Sequence, residues 1–218
     1  MRASYLKQWF KVLKTIGHSN LQIETFLDIL YHHHINCIID LRSAPYSRHN
    51  PQFNRETLKT DLEINEIQYI YMGDRLGARH EDKNLLFDNG KVDFDKVKDL
   101  PFFIEGIESL INKTNTGLNI SLMCAEKDPF NCHRFVLVSR ALAKKNIAIE
   151  HILSDKNTVS QEELEERLFN KYTDKSPQMS LFEPVKSRTE LTDIAYKKHN
   201  NNIGYTPNPS SYHTILSI

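Results

Sequence analysis

No stretch of the 218 residues is apolar for long enough to cross a bilayer, and the start shows no signal-peptide pattern, so neither a membrane-spanning nor a secreted chain is expected. An excess of charge of one sign is also missing: 28 Lys and Arg stand against 28 Asp and Glu. The whole molecule is therefore no electrostatic magnet for nucleic acid, and any anion site must come from a local basic cluster. Cysteine is scarce, with only Cys37, Cys124 and Cys132. An odd, low count without a secretion signal argues for free thiols in a reducing compartment, and a cytoplasmic location is expected. There is no internal repeat. The length fits one domain plus an extension, or at most two small domains, and the 39% hydrophobic content is enough for a core.

The pattern along the chain alternates between strand and helix. Residues 1–10 show no clear period, and 11–17 read as a strand ending in Gly17, His18, Ser19 and Asn20. Ser19 followed by Gln22 resembles a capping box. Ile23, Phe26, Leu27 and Leu30 then form the buried stripe of a helix. Residues 36–41 are a short apolar run suited to a strand buried on both faces. A polar loop with two prolines covers 42–53, and Asn54 is placed to cap a helix reaching Asn65. A strand at 68–72, a loop at 73–80, helices at 93–99 and 101–115 and a strand at 118–124 follow. Asp128 and Pro129 read as a helix start. A last strand at 147–153 precedes a helix at 161–172. The expected fold is α/β, a mostly parallel sheet with helices on both faces, covering residues 1–173. Beyond it, 174–218 reads as a linker and weakly structured C-terminal tail with one helix near 189–198.

A parallel sheet predicts a ligand crevice beyond the carboxyl ends of its strands. Four such ends are chemically loaded: Gly17, His18 and Ser19; Asp40, Arg42, Ser43, Ser47 and Arg48; Asp74, Arg75, Gly77 and Arg79; Cys124, Glu126, Asp128, Cys132, His133 and Arg134. Guanidinium groups, hydroxyls and helix starts are the equipment for binding a phosphate or carboxylate. Ordinary loop polarity with structural Arg–Asp pairs is the competing explanation.

Cys124 ends a strand, and Cys132 is expected in the first turn of the next helix with His133 beside it. Three uses stay open: a nucleophilic thiol with His133 or Glu126 as proton carrier; a metal site from Cys124, Cys132, His133 and His18; and two inert thiols packing a strand–helix junction. The spacing departs from the common Cys-x-x-Cys zinc patterns, and Arg134 lies too far from Cys124 for the short phosphatase loop. His32, His33 and His34 suit a helix C-terminus. Cys37 reads as core, and Tyr69 and Tyr71 as packing or base-stacking residues of one strand face.

These residues also resemble a known family. Thr15, Ile16, Gly17, His18, Ser19 and Asn20 form one motif, and Asp40 to Arg48 with Gln52, Phe53 and Asn54 a second. Leu76, Gly77 and Ala78 form a third, and Cys124 to Pro129 with Cys132, His133 and Arg134 a fourth. Together they look like the domain-of-unknown-function 488 family, from about Leu13 to Tyr172, with Ala78 where a second glycine is usual. The resemblance implies an α/β fold and a shared polar pocket but no reaction. Residues 38–42 are also similar to the opening strand of rhodanese-like domains. In the tail, Gln178, Leu181 and Phe182 sit in a pentapeptide similar to the one by which bacterial repair proteins dock on the β sliding clamp.

Two functions follow as expectations. One is an enzyme on a phosphate-bearing substrate, a nucleotide or nucleic acid. In it Arg42, Arg48, Arg79 and Arg134 hold the anion and His18, Ser19, Asp40, Ser43 and Ser47 complete the site. Cys124 is the nucleophile or Glu126 the acid/base group, with Cys132 and His133 beside them, and no cofactor is implied. The other is a non-catalytic binding module recruited to repair or replication complexes through Gln178–Phe182. No membrane partner is expected.

Overall fold

A computed structural model describes residues 12–173 and 186–207. Residues 1–11, 174–185, which include the clamp-like peptide with Gln178, Leu181 and Phe182, and 208–218 lie outside the described residues. Among the described residues no helix is long and apolar enough to cross a membrane.

Among the described residues six strands form one sheet: β1 (Leu13–Gly17), β2 (Cys37–Asp40), β3 (Gln68–Tyr71), β4 (Ile120–Cys124), β5 (Ile149–Ile152) and β6 (Thr158–Ser160). Their order is β3-β2-β4-β1-β5-β6. The first five run parallel, and β6 pairs antiparallel with β5 at the edge. The helices are α1 (Ile23–His32), α2 (Arg55–Ile64), α3 (Gly73–Leu76), α4 (Phe94–Val97), α5 (Pro101–Thr114), α6 (Arg140–Ala143), α7 (Gln161–Tyr172) and α8 (Arg188–Ile203).

The side-chain period of two in the strands divides the core. Ile16, Ile38, Met123 and Ile152 point to the face covered by Phe26, Ile29 and Leu30 of α1 and Leu58 and Leu62 of α2. Leu13, Ile39, Leu122, Cys124 and Ile149 point to the other face, beneath α5, Phe135 to Leu142, α7 and α8. A strand buried on both sides favours apolar residues on both faces, which is why β2 and β4 read as mostly apolar runs, with Asp40 and Ser121 their buried polar members.

Several local expectations are corrected. Ser19 does not cap α1: the cap position is Gln22, with no side-chain cap bond, and Ser19 adopts a left-handed turn with φ 51°. Asn54 holds the cap position of α2, but its Oδ1 accepts the Ser47 N–H at 2.7 Å and pins the preceding loop instead. Asp128 does cap, accepting from Phe130 N, but only a 3₁₀ turn, Pro129–Asn131. Cys132 is extended, with φ −130° and ψ 146°, so it precedes the next helix rather than opening it. That helix starts as a buried π-helical stretch, Arg134–Ser139, and continues as α6. Stretches of this kind recur at functional sites because they displace one side chain from the helical register. α3 occupies part of the expected loop at 73–80, and β6 was not anticipated.

The tail helix is longer than expected and lies on the domain. Tyr196 hydroxyl donates to Glu165 and accepts from Gln161. His199 bridges the Tyr172 hydroxyl and the Phe130 carbonyl. Asn200 accepts the Phe94 N–H at 2.8 Å and donates to the Val92 carbonyl at 3.0 Å. Val92 N–H in turn donates to the Tyr205 carbonyl, so the chain after α8 is stitched to the rim of the sheet.

Candidate functional site

The parallel order puts the carboxyl ends of β1, β2, β3 and β4 on one rim, with Gly17 level with Cys124 and Asp40 level with Met123 and Tyr71. From the end of β2 rises a fixed charged pair. Asp40 is fully buried and its carboxylate accepts the Arg42 backbone N–H at 3.0 Å, Nε at 2.9 Å, Nη2 at 2.7 Å and the Tyr69 hydroxyl at 2.7 Å. Arg42 Nη1 donates to the Phe53 carbonyl at 2.9 Å and to His18 Nε2 at 3.0 Å. His18 can accept there because its Nδ1–H donates to the Ser19 carbonyl at 2.8 Å, which sets the tautomer. Burial and then the Arg42 charge lower the His18 pKa to about 4, so the ring is neutral at neutral pH, as an acceptor must be. Its ring stacks on Phe53 at 4.2 Å. Burial and the neighbouring Asp40 raise the Tyr69 phenol.

A second arginine holds the loop after β4. Arg134 is completely buried, and its Nη1 donates to the Glu126 carbonyl at 2.6 Å and its Nη2 to the Lys127 carbonyl at 3.1 Å. Only glycine fits at the end of β1, because a Cβ on Gly17 would lie 1.8 Å from the Glu126 carbonyl oxygen. Gly77 is needed for a similar reason: a Cβ there would sit 2.2 Å from Ser43 Oγ, the oxygen that accepts the Arg79 N–H.

Clamped this way, the loop gathers four reactive groups. Cys132 Sγ lies 3.0 Å from Glu126 Oε2, and His133 Nδ1 is 3.8 Å from Cys124 Sγ and 3.9 Å from Cys132 Sγ. The ligand-type atoms of Cys124, Glu126, Cys132 and His133 all lie within 4.8 Å of one another. Groups this close cannot all carry their charges independently. Burial raises the Cys124 thiol well above its usual range. Burial also opposes ionisation of Cys132, but a hydrogen bond from Cys124, the Arg134 guanidinium and His133 outweigh it and bring that thiol well below its usual range. Although Glu126 as a whole residue is exposed, its carboxyl is turned in among the loop atoms beside Cys132, and that local desolvation, followed by the Cys132 charge, pushes it up to about 7. The bond to Cys132 and its charge raise His133 against the effect of burial.

The cluster forms one wall of a cavity of about 220 Å³. Of the residues singled out in the sequence, Arg42, Ser43, Arg79, Glu126, Cys132 and His133 line it. Cys124 is fully buried behind His133 and does not line it. His18 and Asp40 stand behind Arg42, and Arg134 behind the cysteine loop, as braces rather than walls. Three others are outside the lining. Ser19 Oγ donates to Asn20, Ser47 Oγ accepts from His49 and Asn50 N–H groups to shape its loop, and Arg48 is exposed. Cys37 is a core thiol that burial raises to about 11. His33 sits at the opposite end of the sheet, bonded to Lys14 and the Lys156 carbonyl.

Sequence reasoning missed Asn131, Phe94, Ile203 and Tyr205 among the lining residues. Tyr205 comes from the segment after α8, and the Arg79 guanidinium lies over its ring at 5.1 Å. No local signal marks Tyr205; only the docking of α8 brings it to the rim.

Residues 22–141 match the family model described as Domain of unknown function DUF488. The match covers α1 to the start of α6 and therefore the whole cysteine loop, and it begins after the Gly17–Asn20 motif. No curated protein and no solved structure matches the chain.

Proposed function

The chain belongs to the DUF488 family, and from that premise we propose that it is an enzyme acting on a phosphate-bearing substrate, a nucleotide or nucleic acid, at the cavity on the sheet rim. One observation carries the reading: Arg42, Ser43 and Arg79 share a cavity with Glu126, Cys132 and His133. The first three are an anion-binding set, and the second three are groups able to move protons or attack.

Arg79 is the freer of the two cations, exposed and without a carboxylate partner among the described ion pairs. Arg42 is oriented in advance by Asp40, His18 and Phe53, so its position needs no reorganisation when an anion arrives. The cavity of about 220 Å³ is smaller than the roughly 300 Å³ at which sites for whole drug-sized ligands begin. It suits a phosphate with an adjoining sugar-sized portion, the remainder of the ligand lying across the mouth, where Tyr205 offers an aromatic face. In this reading Cys132, rather than the Cys124 expected from the sequence, meets the substrate, with Glu126 at the lip.

The test is a titration of the full chain with mononucleotides and inorganic phosphate, read by calorimetry, for the wild type and Arg79→Ala. A charge-assisted bond to phosphate is worth about 1.5–3 kcal/mol, so the variant should bind about ten- to a hundredfold more weakly. Glu126→Gln should bind the anion undiminished and lose turnover. Absence of saturable binding, or equal affinity for both proteins, would remove the proposal.

A further inference from the structure

We propose that Cys124, Glu126, Cys132 and His133 bind one divalent transition-metal ion of the zinc class at the wall of the cavity. The site stands on the geometry of the four side chains; only its use in turnover rests on the enzyme reading above.

The distances carry it. Four-coordinate zinc holds sulfur at about 2.3 Å and nitrogen or oxygen at about 2.0–2.1 Å, so the edges of its tetrahedron measure roughly 3.4–3.8 Å. Around His133 Nδ1 the two edges to sulfur are 3.8 Å and 3.9 Å. The Cys132 Sγ to Glu126 Oε2 edge is 3.0 Å, and no pair in the set exceeds 4.8 Å. Side-chain movements of no more than about 1 Å bring every edge to that of a tetrahedron around a small ion.

The donor types agree. Two sulfurs, an imidazole nitrogen and one carboxylate oxygen are soft and borderline ligands, which select zinc or a similar first-row ion over magnesium or calcium. The spacing in sequence does not betray the site because the ligands are not on one zinc-binding turn. Cys124 ends β4, while Cys132 and His133 return to it after a 3₁₀ turn. The support around the ligands is also present. The Arg134 backbone N–H points at Cys132 Sγ at 3.5 Å, and its guanidinium holds the Glu126 and Lys127 carbonyls. Two thiolates and a carboxylate around a dication leave one net negative charge, which the buried Arg134 guanidinium opposes. Cys124 and Cys132 are buried and His133 half-buried, whereas Glu126 is exposed at the lip. The most exposed of the four ligands is therefore the carboxylate, the easiest of them to displace.

The experiment uses the full chain purified under reducing conditions, stripped with a chelator and titrated with zinc or cobalt(II). One equivalent should bind, and cobalt should give sulfur-to-metal charge-transfer absorption with the visible bands of a tetrahedral ion. Loss of an outer-shell partner already costs about 10–100-fold in affinity, so Cys132→Ser should exceed about a hundredfold. Glu126→Gln should weaken zinc while the cobalt charge-transfer band persists, which keeps the test open if the cysteine variant misfolds. His32→Ala with His34→Ala should change nothing. A chain that binds no metal at micromolar zinc, binding that the surface histidine pair abolishes, or cobalt without a sulfur band would each overturn the proposal. The phosphate titration of wild type and Arg79→Ala runs on the same samples and separates the two ideas. Metal without anion binding refutes the enzyme reading alone, and anion binding without metal refutes the metal site alone.

Discussion

Replacing Asp40 by Asn should destabilise the protein severely although the two side chains have nearly the same volume. The Asp40 carboxylate is fully buried and takes four donors, three of them from Arg42, whose own residue is 8% exposed. An amide keeps one acceptor oxygen and turns an NH₂ toward N–H donors. The guanidinium is then left buried with the Phe53 carbonyl, the neutral His18 and no anion. Removing one partner of a buried pair costs about 3–5 kcal/mol. Because Asn retains part of the bonding, the lower end, about 3 kcal/mol, is expected, a large share of the roughly 5–15 kcal/mol that holds a domain folded. Urea unfolding followed by circular dichroism should show a lower midpoint with an unchanged slope. The double variant Asp40→Leu, Arg42→Met should recover most of the loss, since apolar replacement of a buried pair is often neutral, while phosphate affinity falls. A loss below about 1 kcal/mol for Asp40→Asn, the value of an exposed pair, would refute the buried-pair reasoning. A stable double variant with wild-type phosphate affinity would refute the role of Arg42 in the cavity.

Gly17→Ala should also be severe, because its Cβ would lie 1.8 Å from the Glu126 carbonyl and displace the cysteine loop; a melting temperature within a degree of wild type would contradict that contact. His151 makes stability depend on pH. Its ring is fully buried between Thr15 and Gln161, and burial, then the Arg134 charge, lower its pKa from 6.5 to about 4. The folded state therefore prefers the neutral ring. Its contribution is complete above pH 6.5 and is lost as pH falls toward 4, by about 3 kcal/mol at the limit. His151→Gln should reduce the slope over that window and leave the part that His18 contributes, and an unchanged slope would show that the His151 ring does not titrate there. Asn200→Ala leaves the Phe94 N–H and the Val92 carbonyl without their partner. At about 1–3 kcal/mol for a buried group left unpaired, it should destabilise the α8 contact and weaken phosphate binding through Tyr205. Unaltered anion affinity would separate α8 from the site.

Local pattern was enough for most elements, because side-chain period and caps are properties of a few neighbouring residues. Helix α7 lies where its pattern put it, with Ser160 and Glu163 forming a full capping box at its start. β4, buried at every position from Ile120 to Cys124, was legible as a strand, and the cysteine loop as a loop. The roles of the arginines were not. Arg79 lines the cavity while Arg134 holds backbone carbonyls beneath it, and nothing adjacent to either residue distinguishes the two. What a guanidinium does depends on which carbonyl or carboxylate another part of the chain brings to it. The same holds for Cys124 and Cys132, which differ because the first ends a buried strand and the second returns beside Glu126 and His133. Asp40, Arg42, Gly77 and the cysteine loop were visible in the sequence as motifs. That they meet at one rim follows from the strand order β3-β2-β4-β1, and Tyr205 joins that rim only because Tyr196, His199 and Asn200 dock α8 on the domain. Those pairings are decided by long-range packing, where the free energy depends on which surfaces meet and not on their distance along the sequence.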